Sequence, residues 1–241
     1  HLPGAVAEGR VDEATLDQAV RRVLAAKFAL GLFESPYVDV DAAPEILGRA
    51  DHRDAARAAA ERTMVLLSND GTLPLDAAAT PRVAVIGELA ASRRDVLDPW
   101  IFDYDAAESV TLLDGIRARV GDAAVVDYAP GVGIPRRVFP SMFDRMESLL
   151  EETPDEHDDD AELARAVELA EASDVAIVVT GQRQNQIGEK SSVSTLDLPG
   201  RAVEQIEALA ATGTPVVVVL MTGRPVDLRR VEGKVAAIVE A

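Results

Sequence analysis

From residue 82 onward, short runs of branched apolar residues alternate with stretches long enough for helices. Because most of these runs are apolar throughout, both faces of the strands that they predict must be buried. Such strands, separated by helices, are typical of a parallel sheet covered on both sides. The predicted strands are 83–86, 124–128, 175–180, 216–221 and 235–239, and the predicted helices are 110–120, 161–171 and 202–211. The sequence therefore predicts an α/β fold, an αβα sandwich with a mostly parallel sheet.

The part before residue 82 has a different pattern. Residues 11–33 carry apolar side chains along one face of a predicted helix, with Asp12 as its N-cap and Gly31 as its stop. These side chains are Leu16, Val20, Val23, Leu24 and Phe28. Residues 34–48 contain two prolines and no periodicity, which is typical of a linker. An alanine-rich helix over 51–62 and a short strand or extended run over 64–67 follow.

Composition excludes several classes of protein. The chain has 42 acidic and 24 basic residues, a net charge of −18 and no compact basic stripe, so we expect no binding to nucleic acid. It contains no cysteine, which removes disulfides, zinc–thiolate sites and thiol nucleophiles. Its longest apolar run, residues 215–221, is too short to cross a membrane. The three histidines are scattered and no Gly-x-Gly-x-x-Gly run occurs, so we expect neither a metal ion nor another cofactor.

Two connections of the predicted sheet, 129–160 and 181–199, are long, whereas strand-to-helix loops usually take about 2–6 residues. Both follow strands and so leave from the carboxyl edge, where open parallel sheets bind ligands. The first includes an acidic run over 151–160, for which we expect a solvated loop. The second contains one glutamate, Glu189, directly before Lys190. A carboxyl on such a loop can donate a proton to a substrate bound elsewhere, although most acids of the chain must be ordinary surface residues.

Several short motifs occur together along the chain. The second long connection and the segment after it contain Gly188-Glu189-Lys190-Ser191-Ser192, Leu198-Pro199-Gly200 and Gly223-Arg224-Pro225. Upstream are Gly31-Leu32-Phe33, Val65-Leu66-Leu67-Ser68-Asn69 and Val85-Ile86-Gly87. In their order along the chain, these motifs resemble the C-terminal α/β sandwich domain of glycoside hydrolase family 3, in its bacterial β-glucosidase and β-xylosidase branch. The resemblance includes the linker before that domain. The resemblance covers nearly the whole chain.

The resemblance implies an activity and assigns the two catalytic groups to different domains. A retaining, exo-acting β-glycosidase of this family has an aspartate nucleophile on an N-terminal barrel and takes its general acid/base from the sandwich loop. Glu189 stands at the position of that acid/base. Relatives often carry a tryptophan near the position of Trp100, for which sugar stacking or a place facing the barrel is implied, with packing at the domain boundary as the alternative. The expected domains are residues 1–33 from the end of a missing barrel, 34–81 as linker and entry segment, and 82–241 as a C-terminally truncated sandwich domain.

A fragment of this kind is expected to be inactive alone, because the nucleophile belongs to the barrel. The start His1-Leu2-Pro3-Gly4 and the strand-like end of the chain suggest that both ends were cut from something longer. Its expected partners are the missing barrel, a β-linked glycoside in the parent protein, and a second copy of the chain. The second copy would bind through the helix over 11–33, whose apolar face would otherwise pack against the barrel.

Two positions depart from the family pattern. Val193 stands where the motif has arginine, and Gln182 stands where many relatives have a second glutamate. These departures keep open a non-catalytic sugar-binding or interaction domain with a vestigial acid. A flavodoxin-like nucleotide-binding domain is a further alternative. Arg224, just after a predicted strand, is expected to brace the loop by pairing with a carboxylate.

Overall fold

A computed structural model of the chain describes residues 1–97, 99–101, 104–135, 157–189 and 191–241. Its contacts divide the chain into two compact units, His1–Glu61 and Arg62–Ala241. Most of the connection predicted over 129–160, part of the acidic run over 151–160, and Lys190 lie outside the described residues.

The first unit is helical. Its helices are α1 (Leu2–Ala7), α2 (Glu13–Ala29), α3 (Ala43–Ile46) and α4 (Ala50–Thr63), whose last two residues belong to the second unit. Asp12 caps α2 as predicted, because its carboxylate accepts from the Thr15 N–H at 2.8 Å. Gly31 follows the helix with a φ of 67°, so the predicted stop is also confirmed. Most of the apolar face of α2, from Val20 to Phe28, is exposed.

The described part of the second unit contains a six-stranded sheet. Its strands are β1 (Val65–Asn69), β2 (Arg82–Ile86), β3 (Val125–Ala129), β4 (Val175–Gly181), β5 (Val216–Met221) and β6 (Ala237–Glu240). They lie in the order β1-β6-β5-β4-β2-β3. Every neighbouring pair is parallel except the edge pair β1 and β6, so the mostly parallel sheet is confirmed. The run predicted over 64–67 is strand β1, which joins the sheet as its antiparallel edge.

Helices cover both faces of this sheet, because successive strand residues point to opposite sides. On one face, Ile86, Val178 and Leu220 pack in a cluster with residues of α6 (Asp159–Glu171) and α7 (Ala202–Ala210). On the other face, Val85 and Val179 pack with Leu113 of α5 (Leu112–Val120) and Leu89 of a short 3₁₀ turn. The αβα sandwich that the sequence predicts is therefore the observed fold.

Candidate functional site

The loop after β4 leaves the sheet at its carboxyl edge through a glycine. Gly181 has a φ of 140°, and a Cβ there would lie 2.0 Å from the carbonyl oxygen of Met221 on β5. No side chain fits at that distance, so the close approach of the two strand ends requires glycine. A 3₁₀ turn, Gln184–Gln186, follows at once and directs the loop across the sheet edge.

The base of this loop is fixed by a buried group of charges. The guanidinium of Arg183 pairs with Glu88 at 2.6 Å and with Asp95 at 3.3 Å, and the three side chains are 11%, 21% and 3% exposed. Asp95 also accepts from the Gln184 N–H at 2.8 Å, and Glu88 accepts from the Ile134 N–H at 3.0 Å. The loops that follow β2, β3 and β4 are thereby tied together at the carboxyl edge.

Sequence analysis did not find this charge cluster, although a signal for it exists. Glu88 directly follows the glycine that ends β2, and Arg183 lies two residues after the glycine that ends β4. Opposite charges at the ends of two parallel strands can pair when the strands are neighbours. Strands β2 and β4 are neighbours, but their order in the sequence does not reveal it.

The turn that carries Glu189 is closed on its inner side. The Arg224 side chain donates through Nη2 to the carbonyl oxygens of Gln186 at 3.1 Å and Ser191 at 2.8 Å. The Ser191 hydroxyl, which is buried, donates to the carbonyl of Ile187 at 2.9 Å. Arg224 thus braces the loop, but the expectation of a carboxylate partner was wrong, because the acceptors are main-chain carbonyls.

Glu189 lies at the outer side of this turn. Its side chain is exposed, and its carboxylate makes no hydrogen bond or ion pair with the described part of the chain. The preceding Gly188 has a φ of 87°, and a Cβ there would lie 3.0 Å from Pro99 Cγ and 3.9 Å from Trp100 Nε1. The structure therefore brings Trp100, which is half-exposed, next to the turn that carries Glu189.

The two departures from the family pattern lie in different environments. Val193 is 52% exposed, so an arginine there would have room to reach outward. Gln182 is buried, and its side-chain oxygen is 3.4 Å from the Gly223 N–H, which makes it part of the loop's interior. Of these two positions, Val193 is therefore the one at which the change alters an exposed surface.

A cavity of about 700 Å³ opens behind the turn. Gln182, Gln186, Ser191 and Arg224 line it, together with residues 192–200 and 225–226. The inner side of the loop lines this cavity, and Glu189 is not among the lining residues. The described residues include no group of three or more His, Cys, Asp or Glu that could hold a metal ion. Within the same residues, no helix has the length and apolarity needed to cross a membrane.

Comparison with known proteins gives one consistent family. The sequence model described as "Glycosyl hydrolase family 3 C-terminal domain" matches residues 64–241. Among curated proteins, a "Periplasmic beta-glucosidase" of Salmonella typhimurium is 38% identical across 100% of this chain and 32% of its own length. A "Beta-xylosidase" of Formosa agariphila is 31% identical across 93% of this chain and 29% of its own length.

Solved structures agree with these sequence matches. A β-glucosidase involved in saponin metabolism from intestinal bacteria superposes with a TM-score of 0.73 at 29% identity, covering 99% of this chain and 35% of that one. A β-glucosidase from Listeria innocua in complex with glucose gives 0.71 at 27% identity, covering 100% of this chain and 29% of that one. This chain therefore spans about a third of the length of the proteins that it matches.

Proposed function

Because this chain belongs to glycosyl hydrolase family 3, of which it carries the C-terminal domain, we propose that the whole protein is a retaining, exo-acting β-glycosidase and that Glu189 is its general acid/base. The similar proteins are named as β-glucosidases and a β-xylosidase. A β-linked glucoside or xyloside is accordingly the proposed substrate. Residues 1–33 would be the end of the barrel, 34–81 the linker and entry segment, and 82–241 the sandwich domain.

In this mechanism the reaction needs two carboxyl groups on either side of the glycosidic bond. An aspartate of the barrel would attack the anomeric carbon while the protonated carboxyl of Glu189 gives its proton to the departing oxygen. As a carboxylate, Glu189 would then take a proton from the water that releases the sugar from the aspartate. Retention requires the two carboxyl groups to lie about 5–5.5 Å apart, so the acid must project out of its own domain.

The observation that carries this proposal is the combination of exposure and support at Glu189. Its carboxylate is exposed, while the loop beneath it is held by the buried Arg183 cluster and by Arg224. A general acid supplied to another domain needs both properties, because it must reach the substrate and arrive in a defined place. Trp100 beside the same turn offers a ring on which the departing part of a substrate could stack.

The test replaces Glu189 by alanine in the whole protein and compares two substrates. An alkyl β-glycoside needs its leaving oxygen protonated, whereas a 2,4-dinitrophenyl β-glycoside does not. We expect kcat/KM for the alkyl substrate to fall by about 10²–10⁴-fold, with little change for the dinitrophenyl substrate. Its kcat should fall, because release of the sugar from the aspartate also needs Glu189 as a base, and azide, which attacks without a general base, should restore that kcat. An unchanged kcat/KM for the alkyl glycoside would show that Glu189 is not the acid.

One observation favours a second candidate function. Val193 leaves an exposed apolar side chain where the family motif supplies a guanidinium that could orient the acid. A sugar-binding or interaction domain with a vestigial acid would tolerate that change. In that case, replacing Glu189 by alanine would alter neither substrate's kcat/KM, and placing arginine at position 193 would not raise it.

A further inference from the structure

The position of the Glu189 carboxylate depends on the backbone of its turn. Within the described residues, no side chain pairs with this carboxylate. The residues on either side of it, Gln186 and Ser191, are held by one group, Nη2 of Arg224. Whatever moves these two carbonyls therefore moves the acid between them.

Arg224 is well suited to hold two carbonyls in a fixed relation. Its guanidinium is planar and permanently charged, so both hydrogen bonds are charge-assisted and persist across the pH range of enzyme activity. A lysine ammonium at this position would lack the rigid fork of donors and would be hydrated more strongly.

The backbone just before Arg224 is also in contact with the turn. Arg224 lies three residues after β5, and Gly223 before it packs closely against the loop. A Cβ on Gly223 would lie 2.8 Å from Cγ2 of Ile187, so the chain after β5 and the turn are in direct contact. Movement of the turn relative to the sheet edge would have to break this contact as well as both hydrogen bonds.

We propose that Arg224 is a positioning residue for Glu189: it transmits the fixed position of the β5 end to the acid. The inference rests on the proposed function, in which Glu189 gives and takes the proton. Nη2 of Arg224 donates to two carbonyls of the turn, so the side chain would act through Glu189 on the proton-transfer steps. A displacement of about 1 Å at a reacting group can lower a rate by about 10²-fold, so loss of the clamp should have a large effect.

The experiment compares Arg224→Met and Arg224→Lys in the whole protein, with Arg165→Met as the matched control. Arg165, on α6, also donates to a main-chain carbonyl, that of Tyr128 at 3.3 Å, but its charged partner is Glu162 of the same helix. We expect Arg224→Met to lower kcat/KM for an alkyl β-glycoside by about 10²-fold and to change that for the 2,4-dinitrophenyl glycoside less than about twofold. Arg224→Lys should fall between Arg224→Met and the parent, and Arg165→Met should match the parent on both substrates.

The pattern across substrates separates positioning from general damage. Equal losses on the two substrates, or no loss on either, would overturn the role of Arg224. If Arg224→Met does not fold, as judged by its melting curve, the substrate ratio of Arg224→Lys decides the question in the same way. Glu189→Ala keeps the two proposals distinct. If Glu189→Ala loses activity selectively while the Arg224 variants do not, only the positioning role fails. If Glu189→Ala loses nothing, the proposed function itself fails.

Discussion

Asp95 should contribute far more to stability than an acid in a shorter ion pair at the surface. Its side chain is 3% exposed and accepts from Arg183 at 3.3 Å and from the Gln184 N–H at 2.8 Å. Asp114 pairs with Arg93 at 2.8 Å, but these two side chains are 42% and 46% exposed. The comparison therefore tests whether burial or a short ion-pair distance has the larger effect on stability, and we expect burial to have it.

The loss of unfolding free energy depends on which partner groups remain unpaired after each replacement by alanine. Without Asp95, Arg183 keeps its bond to Glu88 at 2.6 Å, so its charge stays compensated and the full cost of an unpaired buried ion does not arise. The buried Gln184 N–H, however, loses a charged acceptor, and such hydrogen bonds contribute about 1.5–3 kcal/mol. We expect Asp95→Ala to cost about 2–3 kcal/mol and Asp114→Ala less than about 1 kcal/mol.

Urea unfolding measures both values. Trp100 is the only tryptophan of the chain and lies in the sandwich unit, so its fluorescence reports on that unit, with far-UV circular dichroism as a second probe. The slope of the unfolding free energy against urea should be the same for both variants, which would show that the unfolded state is unchanged. If the losses of unfolding free energy for Asp95→Ala and Asp114→Ala agree within about 0.5 kcal/mol, the argument that burial outweighs distance is refuted.

Three further predictions concern activity, backbone and assembly. The 241-residue chain alone should not hydrolyse aryl β-glucosides or β-xylosides, because general acid–base catalysis supplies only about 10²–10⁴-fold; turnover at ordinary enzyme rates would contradict this. Gly181→Ala should lower the free energy of unfolding in urea by about 3 kcal/mol or more, because the new Cβ would meet the Met221 carbonyl. A Cβ at Gly213 would have nothing within 4 Å, so Gly213→Ala should lower it by about 1–2 kcal/mol. The exposed face of α2 should pair with a second copy of the chain, so light scattering should give the mass of a dimer, and Phe28→Glu should convert it to a monomer. If the unsubstituted chain is already a monomer, this face has no partner chain.

Periodicity was enough to predict most of the secondary structure, because buried strands and amphipathic helices leave their spacing in the sequence. The predicted strand over 216–221 matches β5 residue for residue, and the helix over 202–211 differs from α7 by one residue. Helix α1 left no such signal, since it spans six residues with a proline in its first turn and no side-chain cap.

Pairings across the sheet could not be predicted, because they depend on which strands become neighbours. The Arg183 cluster joins residues that lie far apart in the sequence and meet only where β2 lies beside β4. Arg224 was predicted as a brace, but its acceptors are main-chain carbonyls, which every residue has and no sequence pattern marks. Glu189 could be selected from the 42 acids only through its motif, because its spacing and exposure are those of any loop acid.

The antiparallel edge of the sheet has a consequence for the order of folding. Within the described residues strand β1 pairs with β6 alone, so a strand at residues 65–69 has its partner at residues 237–240, which are synthesised much later. Until then Val65 and Leu66 have no neighbouring strand, while β2 and β3 can pair much sooner. A growing chain can thus pair strands β2, β3, β4 and β5 on the ribosome, but it can close the β1 edge only after residue 240 has emerged.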